Sequence, residues 1–393
     1  MNIDTPNIRF KSLDQRMQVR SIGELSELVT SGSRDWAQYY SVDGSIFVRM
    51  TNIRRGSIVL NLQDLRYVSV PKSSRDGFRT KLEYGDILVS ITAELGKIGL
   101  VLDDLNDAYI NQHLALIRPF TFLSSHFISH YLTTPQAQKR LNRLNDSGAK
   151  SGLNLSTLKS FKVYLPEKAE QKKIADFLTS VDTKISQLTE KHRLLKDYKK
   201  GVMQQIFSQK IRFKDDDGNA FPDWEEKPLS RMLTVYQQKS KVENEYEVLT
   251  SSRNGLVKQS DYYGEGRITE RSNTGFHVIP ENYLTYRSRS DDRLFFFNLN
   301  TLGLTGIISN YYPVFTMING QNNFFVELTR YHSHVFGRFS VGTSQVVLSY
   351  NALTSIKLEF PSTEEQQKIA QFLQSLDKKI NAVNEQIEQT KLF

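Results

Sequence analysis

The sequence predicts an α+β chain: two β-rich bodies separated by two long antiparallel helices, arranged as a pseudo-two-fold internal repeat. Three observations carry this. The stretch "QKKIADFLTSVDTKI" at 171–185 returns as "QQKIAQFLQSLDKKI" at 366–380, a constant offset of 195. Extended upstream to Leu153 and Leu348, the copies agree at 16 of 33 positions without a gap. That is one segment duplicated, not two helices of similar composition. The stretches outside the copies consist of short β-rich runs punctuated by Gly, Asn and Asp.

Taken in order, residues 1–165 form the first body with an N-terminal arm. "GDILVSI" and "KIGLVL" read as strands, and Ser124–Leu144 reads as helix. Residues 166–210 are a helical spacer. Pro166 ends a strand-like run and suits a helix entrance, because its missing N–H is not needed there. The helix from Glu167 to Phe207 is roughly 60 Å long at 1.5 Å per residue. Residues 211–360 form the second body, with strands in "LFFFNL" and "GIISNYYPVFTMI". Residues 361–393 are a shorter distal helix, entered at Pro361, where Ser362 and Glu365 have the spacing of a capping box. Phe393 registers with Tyr198, so "KKGVMQQIF" has no second copy.

Within the helices apolar residues recur every seven positions: Ile174, Val181, Leu188, Leu195 and Val202, with Leu178, Ile185, His192, Lys199 and Ile206 four residues on. The second copy repeats this with Ile369, Leu376 and Val383 beside Leu373, Ile380 and Ile387. Such spacing asks for a helical partner, and the natural partner is the other copy, as an antiparallel coiled coil. The expected subunit and helix interface is Ile174, Phe177, Leu178, Val181, Ile185, Leu188, Ile369, Phe372, Leu373, Leu376 and Ile380. The other reading packs each helix on its own body.

The chain has 393 residues, enough for two or three domains with real cores. It contains no cysteine, which excludes disulfides and thiolate metal sites and fits a cytoplasmic protein. "MNIDTPNIRF" does not resemble a signal peptide, and no apolar run reaches membrane-spanning length. The formal net charge of +8 favours a polyanionic partner, most commonly nucleic acid. From Arg54 to Lys81 seven basic residues stand against two acids. In the second body "LTSSRNGLVKQSDYYGEGR" mixes cations with amides, hydroxyls and tyrosines, followed by Arg287, Arg289 and Arg293. Arg and Lys suit guanine edges and phosphates, and Asn and Gln suit adenine. The candidate DNA contacts are therefore Thr51, Asn52, Arg54, Arg55, Lys72 and Arg75, and Ser252, Arg253, Asn254, Lys258, Gln259 and Tyr262. Each cluster alone is more often a solvated loop, and it is the two clusters at similar places in paired bodies that favour DNA contact.

Catalytic motifs are missing. No Pro-Pro occurs, so the loop that holds an adenine amine for methylation is absent. Gly96-Lys97 lacks the rest of a phosphate-cradling loop. "PDWEEK" (222–227) reads as a linker leading into the second body, and His332 and His334 read as two surface histidines without a carboxylate pair or cysteines beside them. No catalytic residue, metal site or cofactor site is expected.

The repeat "LPEKAEQKKIADFLTSVDTKISQLTEKHRLLKDYKKGVMQQIF", its copy "FPSTEEQQKIAQFLQSLDKKI", and "GDILVSITAELGKIGLV" with "INQHLALIRP" resemble the specificity subunit of type I restriction–modification systems. The resemblance implies that each body is a target recognition domain reading one half of a bipartite double-stranded DNA site. It implies helices that hold the two domains apart and dock two methyltransferase subunits, which use S-adenosylmethionine to methylate adenine N6. Two restriction subunits would add cleavage driven by ATP and Mg, with no membrane involved. The short second helix departs from the family pattern. Two further readings of the same residues are a stand-alone bipartite DNA-binding regulator and a coiled-coil scaffold that does not touch DNA.

Overall fold

A computed structural model of the chain describes residues 17–34, 36–71, 73–103, 105, 107–144, 152–263 and 272–392. The chain divides into two compact units, Met1–Gln187 and Leu188–Phe393.

The first unit contains β1 (Gln18–Ser21), β2 (Ser26–Ser31), β3 (Tyr40–Ser41), β4 (Ser45–Val48), β5 (Tyr67–Val68), α1 (Arg75–Thr80), β6 (Ile87–Ser90), β7 (Ile98–Leu100), β8 (Ala108–Ile110) and β9 (Leu114–Pro119). They are followed by α2 (Ser125–Thr133), α3 (Pro135–Arg143), α4 (Leu155–Ser160), β10 (Lys162–Leu165) and the start of α5 (Lys168–Phe207). One sheet has the order β2-β9-β6-β7, the other β3-β5-β4-β8. Strands β6 and β9 are buried almost throughout, and their continuous apolar runs reflect cover on both faces.

The second unit adds β11 (Glu225–Pro228), β12 (Leu233–Val235), β13 (Glu247–Ser252), β14 (Gly255–Lys258), α6 (Gln259–Tyr263), β15 (His277–Ile279), β16 (Leu284–Tyr286), β17 (Arg289–Ser290), β18 (Phe297–Leu299), β19 (Gly306–Ile308) and β20 (Val314–Met317). Then come α7 (Asn322–Tyr331), α8 (Ser333–Phe336), β21 (Val346–Val347), α9 (Tyr350–Ser355), β22 (Lys357–Phe360) and α10 (Thr363–Leu392). Its sheets run β12-β20-β16-β18 and β14-β13-β19-β15.

The two bodies share one topology. In each, the strand before a hairpin runs parallel to a later strand, β4 with β8 and β13 with β19. Even the minor pairings recur: Lys81 bridges Tyr109 where β15 pairs with β19, and Thr92 bridges Gly152 where β17 pairs with β21. By sequence the bodies match only at their ends, so the duplication reaches further than residue identity reveals.

Each body is closed at its neck by its first and last strands. Gln18 pairs with Leu165 in β1–β10, and Glu225 with Phe360 in β11–β22. The "PDWEEK" segment is thus not a linker. It enters β11 at Glu225, and Trp224 packs on the core. The helix read over Ser124–Leu144 divides at Pro135, because proline cannot donate within a helix and opens α3 instead. The repeated residues perform repeated work. Asn154 and Ser349 cap α4 and α9, and Gln171 and Gln366 each donate from Nε2 to the carbonyl of Pro166 or Pro361 at 2.9 Å.

The capping box is only half formed. Ser362 Oγ accepts from Glu365 N–H at 3.3 Å, but the Glu365 carboxylate does not reach back. It is buried and accepts from Arg212 at 2.7 and 3.2 Å and from Trp224 Nε1 at 3.2 Å.

The helical seam divides along its length. Leu188, Val383 and Ile387 bury one another with Leu195 beside them, and Lys199 of α5 reaches Asp377 of α10. The second half of α5 therefore runs antiparallel to α10. Ile369, Leu373 and Leu376 are instead built into the second body's core together with Ile206 and Phe207, and Phe372 packs edge-on to Phe213. Ile174 packs against the first body's core beside the buried Ala175. Leu178, Val181, Ile185 and Ile380 are half-buried, and Phe177 is 44% exposed. Contacts between the helices and contacts with a body core thus occupy different stretches. No helix among the described residues is long and apolar enough to cross a membrane.

Burial sets the acid response of two histidines. Burial first, and the neighbouring His126 second, push His130 down to about 4, and its Nε2 has no hydrogen-bond partner among the described residues. Burial first and His334 second push His332 down to about 4. His332 is half-buried and so is not the surface residue the sequence suggested. Both are neutral when folded but charged in the unfolded chain below its ordinary value of 6.5. Their contribution is therefore whole above about pH 6.5 and is lost as pH falls toward about 4, roughly 2 kcal/mol each by about pH 5. Urea midpoints measured at both pH values should show a smaller acid loss for His130→Phe than for the parent. An equal loss would remove His130 from the account.

Candidate nucleic-acid interface

Part of each predicted set falls at an equivalent place. Thr51–Arg55 lie in the connection from β4 to β5, and Ser252–Asn254 lie at the turn from β13 to β14. Each is the tip of the hairpin that grows from the parallel strand pair.

In the first body the tip is a broad loop stitched from inside. Asn52 is 1% exposed, accepts from Arg49 N–H at 2.9 Å, and donates to the carbonyls of Asn61 and Asp64 at 2.9 and 3.0 Å. Its amide is consumed by the loop, so it shapes the tip and does not reach a ligand, contrary to the sequence expectation. Thr51, Arg54 and Arg75 are exposed. Arg55 is exposed but tethered: Nη1 donates to Gln138 Oε1 at 3.1 Å and Nη2 to the Leu95 carbonyl at 3.0 Å. Lys72 lies outside the described residues.

In the second body the tip is a tight turn. Gly255, with φ of +135°, supplies a backbone shape that other residues avoid. Ser252 Oγ donates to the Gly255 carbonyl at 2.8 Å and accepts from Asn254 N–H at 3.1 Å. The buried Asn298 of β18 donates to Ser251 Oγ at 2.7 Å and to the Ser252 carbonyl at 2.8 Å, fixing the hairpin to the sheet behind it. Ser252, Arg253, Asn254 and Tyr262 then line an open concavity of about 300 Å³ with Arg287 and Arg289. Lys258 and Gln259 sit at the junction of β14 and α6, half-buried and outside that lining.

Tyr311, Phe296 and Asp292, which hold arginines at this site, were not singled out from sequence. Arg289 lies 4.2 Å over the Tyr311 ring, and Arg253 lies 5.4 Å over Phe296 while its Nη2 meets Asp292 Oδ2 at 2.5 Å. The Ser290 hydroxyl first, then the Leu294 N–H and Arg253, hold the Asp292 carboxyl below its ordinary value. The sequence signal here is the alternation "RSRSDDR", of which Arg289 and Ser290 form a short strand. Among the described residues no group of three or more His, Asp or Glu side chains is placed to hold a metal. Arginine forks, an amide and hydroxyls on a concave surface can hydrogen-bond base edges and phosphates.

Two like bodies, each closed at its neck and each followed by the same helix, define a duplicated recognition module. Residues 15–196 and 223–390 both match the family described as the type I restriction modification DNA specificity domain, and the chain belongs to that family. Among curated relatives it is 26% identical over 400 residues to a putative type I restriction enzyme MjaX specificity subunit from Methanocaldococcus jannaschii, covering 95% of this chain and 90% of that one. It is also 26% identical to the MjaVIII specificity subunit of the same organism, over 59% of this chain and 60% of that relative. The EcoBI specificity subunit of Escherichia coli is 33% identical over 34% of this chain and 27% of its own. The crystal structure of a type I restriction–modification S subunit from M. genitalium superposes with a TM-score of 0.61 at 15% identity, over 99% of this chain and 96% of that one. At that identity the likeness is one of fold.

Proposed function

We propose that each body reads one half of a bipartite double-stranded DNA site and thereby directs partner subunits to it. The partners are two methyltransferase subunits, which carry S-adenosylmethionine and methylate adenine N6, and two restriction subunits, which use ATP and Mg to cleave. The proposed place of action is the cytoplasm, where the genome is. The chain itself serves as the address and supplies no reacting group. The observation that carries this reading is the placement of Arg-bearing hairpin tips at the same point of one topology in both bodies. A scaffold that does not touch DNA would have no use for that arrangement.

The test is co-expression with the cognate methyltransferase subunit and mapping of methylated adenines by single-molecule sequencing. A two-part motif with a fixed gap is expected, and methylation without sequence preference would overturn the reading. Exchanging the second body for that of a relative should change one half of the motif only. Because Ile206, Phe207, Ile369 and Leu373 belong to that body's core, the exchanged segment should run from about 203 to 376 and not stop at the strand ends. A change in both halves would mean that the bodies read DNA jointly.

A further inference from the structure

The connection from an inner strand to the neighbouring edge strand of one four-stranded sheet does the same thing in both bodies. In the second it is the segment 287–296 between β16 and β18, and its Asp292 holds Arg253 of the hairpin tip. In the first it is 91–97 between β6 and β7, and its Leu95 carbonyl holds Arg55 of the equivalent tip. The sequences of these connections differ, as do the acceptors, yet each fixes one arginine.

We propose that Arg253 is the residue through which the second body reads a guanine, with Asp292 as its positioning residue and Arg55 as its counterpart in the first body. This rests on the DNA reading above and assigns a base to it. Electrostatics separate a guanine edge from a phosphate. An arginine already paired with a carboxylate carries little net local charge, and that carboxylate repels a phosphate. Guanine O6 and N7 are neutral acceptors that a pre-oriented fork still satisfies. Of its five N–H donors, Arg253 gives one to Asp292 and, among the described residues, no other. Phe296 under the guanidinium further fixes its plane, so less side-chain freedom is lost on binding. Arg55 is held by two neutral acceptors, again leaving donors over. Arg287 and Arg289 face no carboxylate at ion-pair distance among the described residues, which suits them to phosphates.

The experiment uses the chain assembled with its methyltransferase subunits and scores base preference at every position of a randomised duplex. Arg253→Ala should lose a guanine preference of roughly 5- to 150-fold at one position, leaving the other half-site intact. Arg55→Ala should do the same in that other half. Asp292→Asn should weaken the same guanine preference while binding to non-specific duplex stays equal or rises, since a repelling charge is gone. Arg287→Ala should lower affinity evenly and keep the motif. The inference is overturned if Arg253→Ala weakens all sequences alike, or if the second half-site contains no guanine. A parent complex without any sequence preference would instead overturn the DNA reading itself.

Discussion

Replacing Lys199 by Met should lower the stability of the second unit by about 3 kcal/mol, read as a shift in its urea midpoint. Lys199 Nζ lies 3.1 Å from Glu327 Oε1 and 2.7 Å from Asp377 Oδ2. The Lys199 and Glu327 side chains are 12% and 6% exposed, whereas Asp377 is 41% exposed. Without the ammonium, Glu327 keeps only Arg330 at 2.7 Å among the described residues, and there its Oε2 already has no hydrogen-bond partner. A buried carboxylate that loses its main partner costs far more than the pair contributes in place of apolar residues. Asp377→Asn should accordingly cost under about 1 kcal/mol, as exposed pairs do. Combining Lys199→Met with Glu327→Gln should recover much of the loss, because no charge is then stranded. A single Lys199→Met variant as stable as the parent would show that Glu327 finds solvent or another donor.

Removing the charges of Arg54, Arg55, Arg253 and Lys258 together should weaken duplex binding by about 10³-fold at low salt, taking roughly 1 kcal/mol for each side chain. The mechanism has a second signature. Every phosphate that the protein no longer neutralises should flatten the plot of log affinity against log salt by about 0.9, because fewer counterions are released. If Arg253 and Arg55 read bases, the slope should fall by about 2 and not by about 4. Anisotropy titrations on the assembled complex at several salt concentrations measure both quantities. Unchanged affinity would place the DNA on another surface.

Much of the fold was legible because it rests on periodicity and duplication. The sevenfold spacing located both long helices, and β6, β7, β18, β19 and β20 lie inside the runs read as strands. What escaped reading depends on contacts between residues far apart. The break in the heptads at Lys199 was visible, but its reason, Glu327 on α7, is 128 positions away. Glu365 has the spacing of a local cap, yet Arg212 claims it from 153 positions away. Asn52 has the chemistry of an adenine reader, and only the carbonyls of Asn61 and Asp64 reveal that its amide is spent. At the candidate site the hairpin residues were legible as clustered cations and amides. Asp292, Phe296 and Asn298 were not, because a positioning role leaves no compositional mark.

The inclusion of helix residues in the body cores has a consequence for biosynthesis. The first unit's main core draws on residues from Ile22 to Ala175, so it is complete soon after the first helix leaves the ribosome. The second unit's core needs Ile206 and Phe207 at one end and Ile369, Leu373 and Leu376 at the other. A nascent second body therefore carries Phe324, Phe325 and Phe336 without their full cover until α10 has emerged. At about 5–20 residues per second, the stretch from Ile206 to Leu376 takes roughly 9 to 34 seconds to make. Chaperone demand should fall on that interval, and slow codons before Ile369 should lower the yield of soluble chain more than slow codons before Ala175.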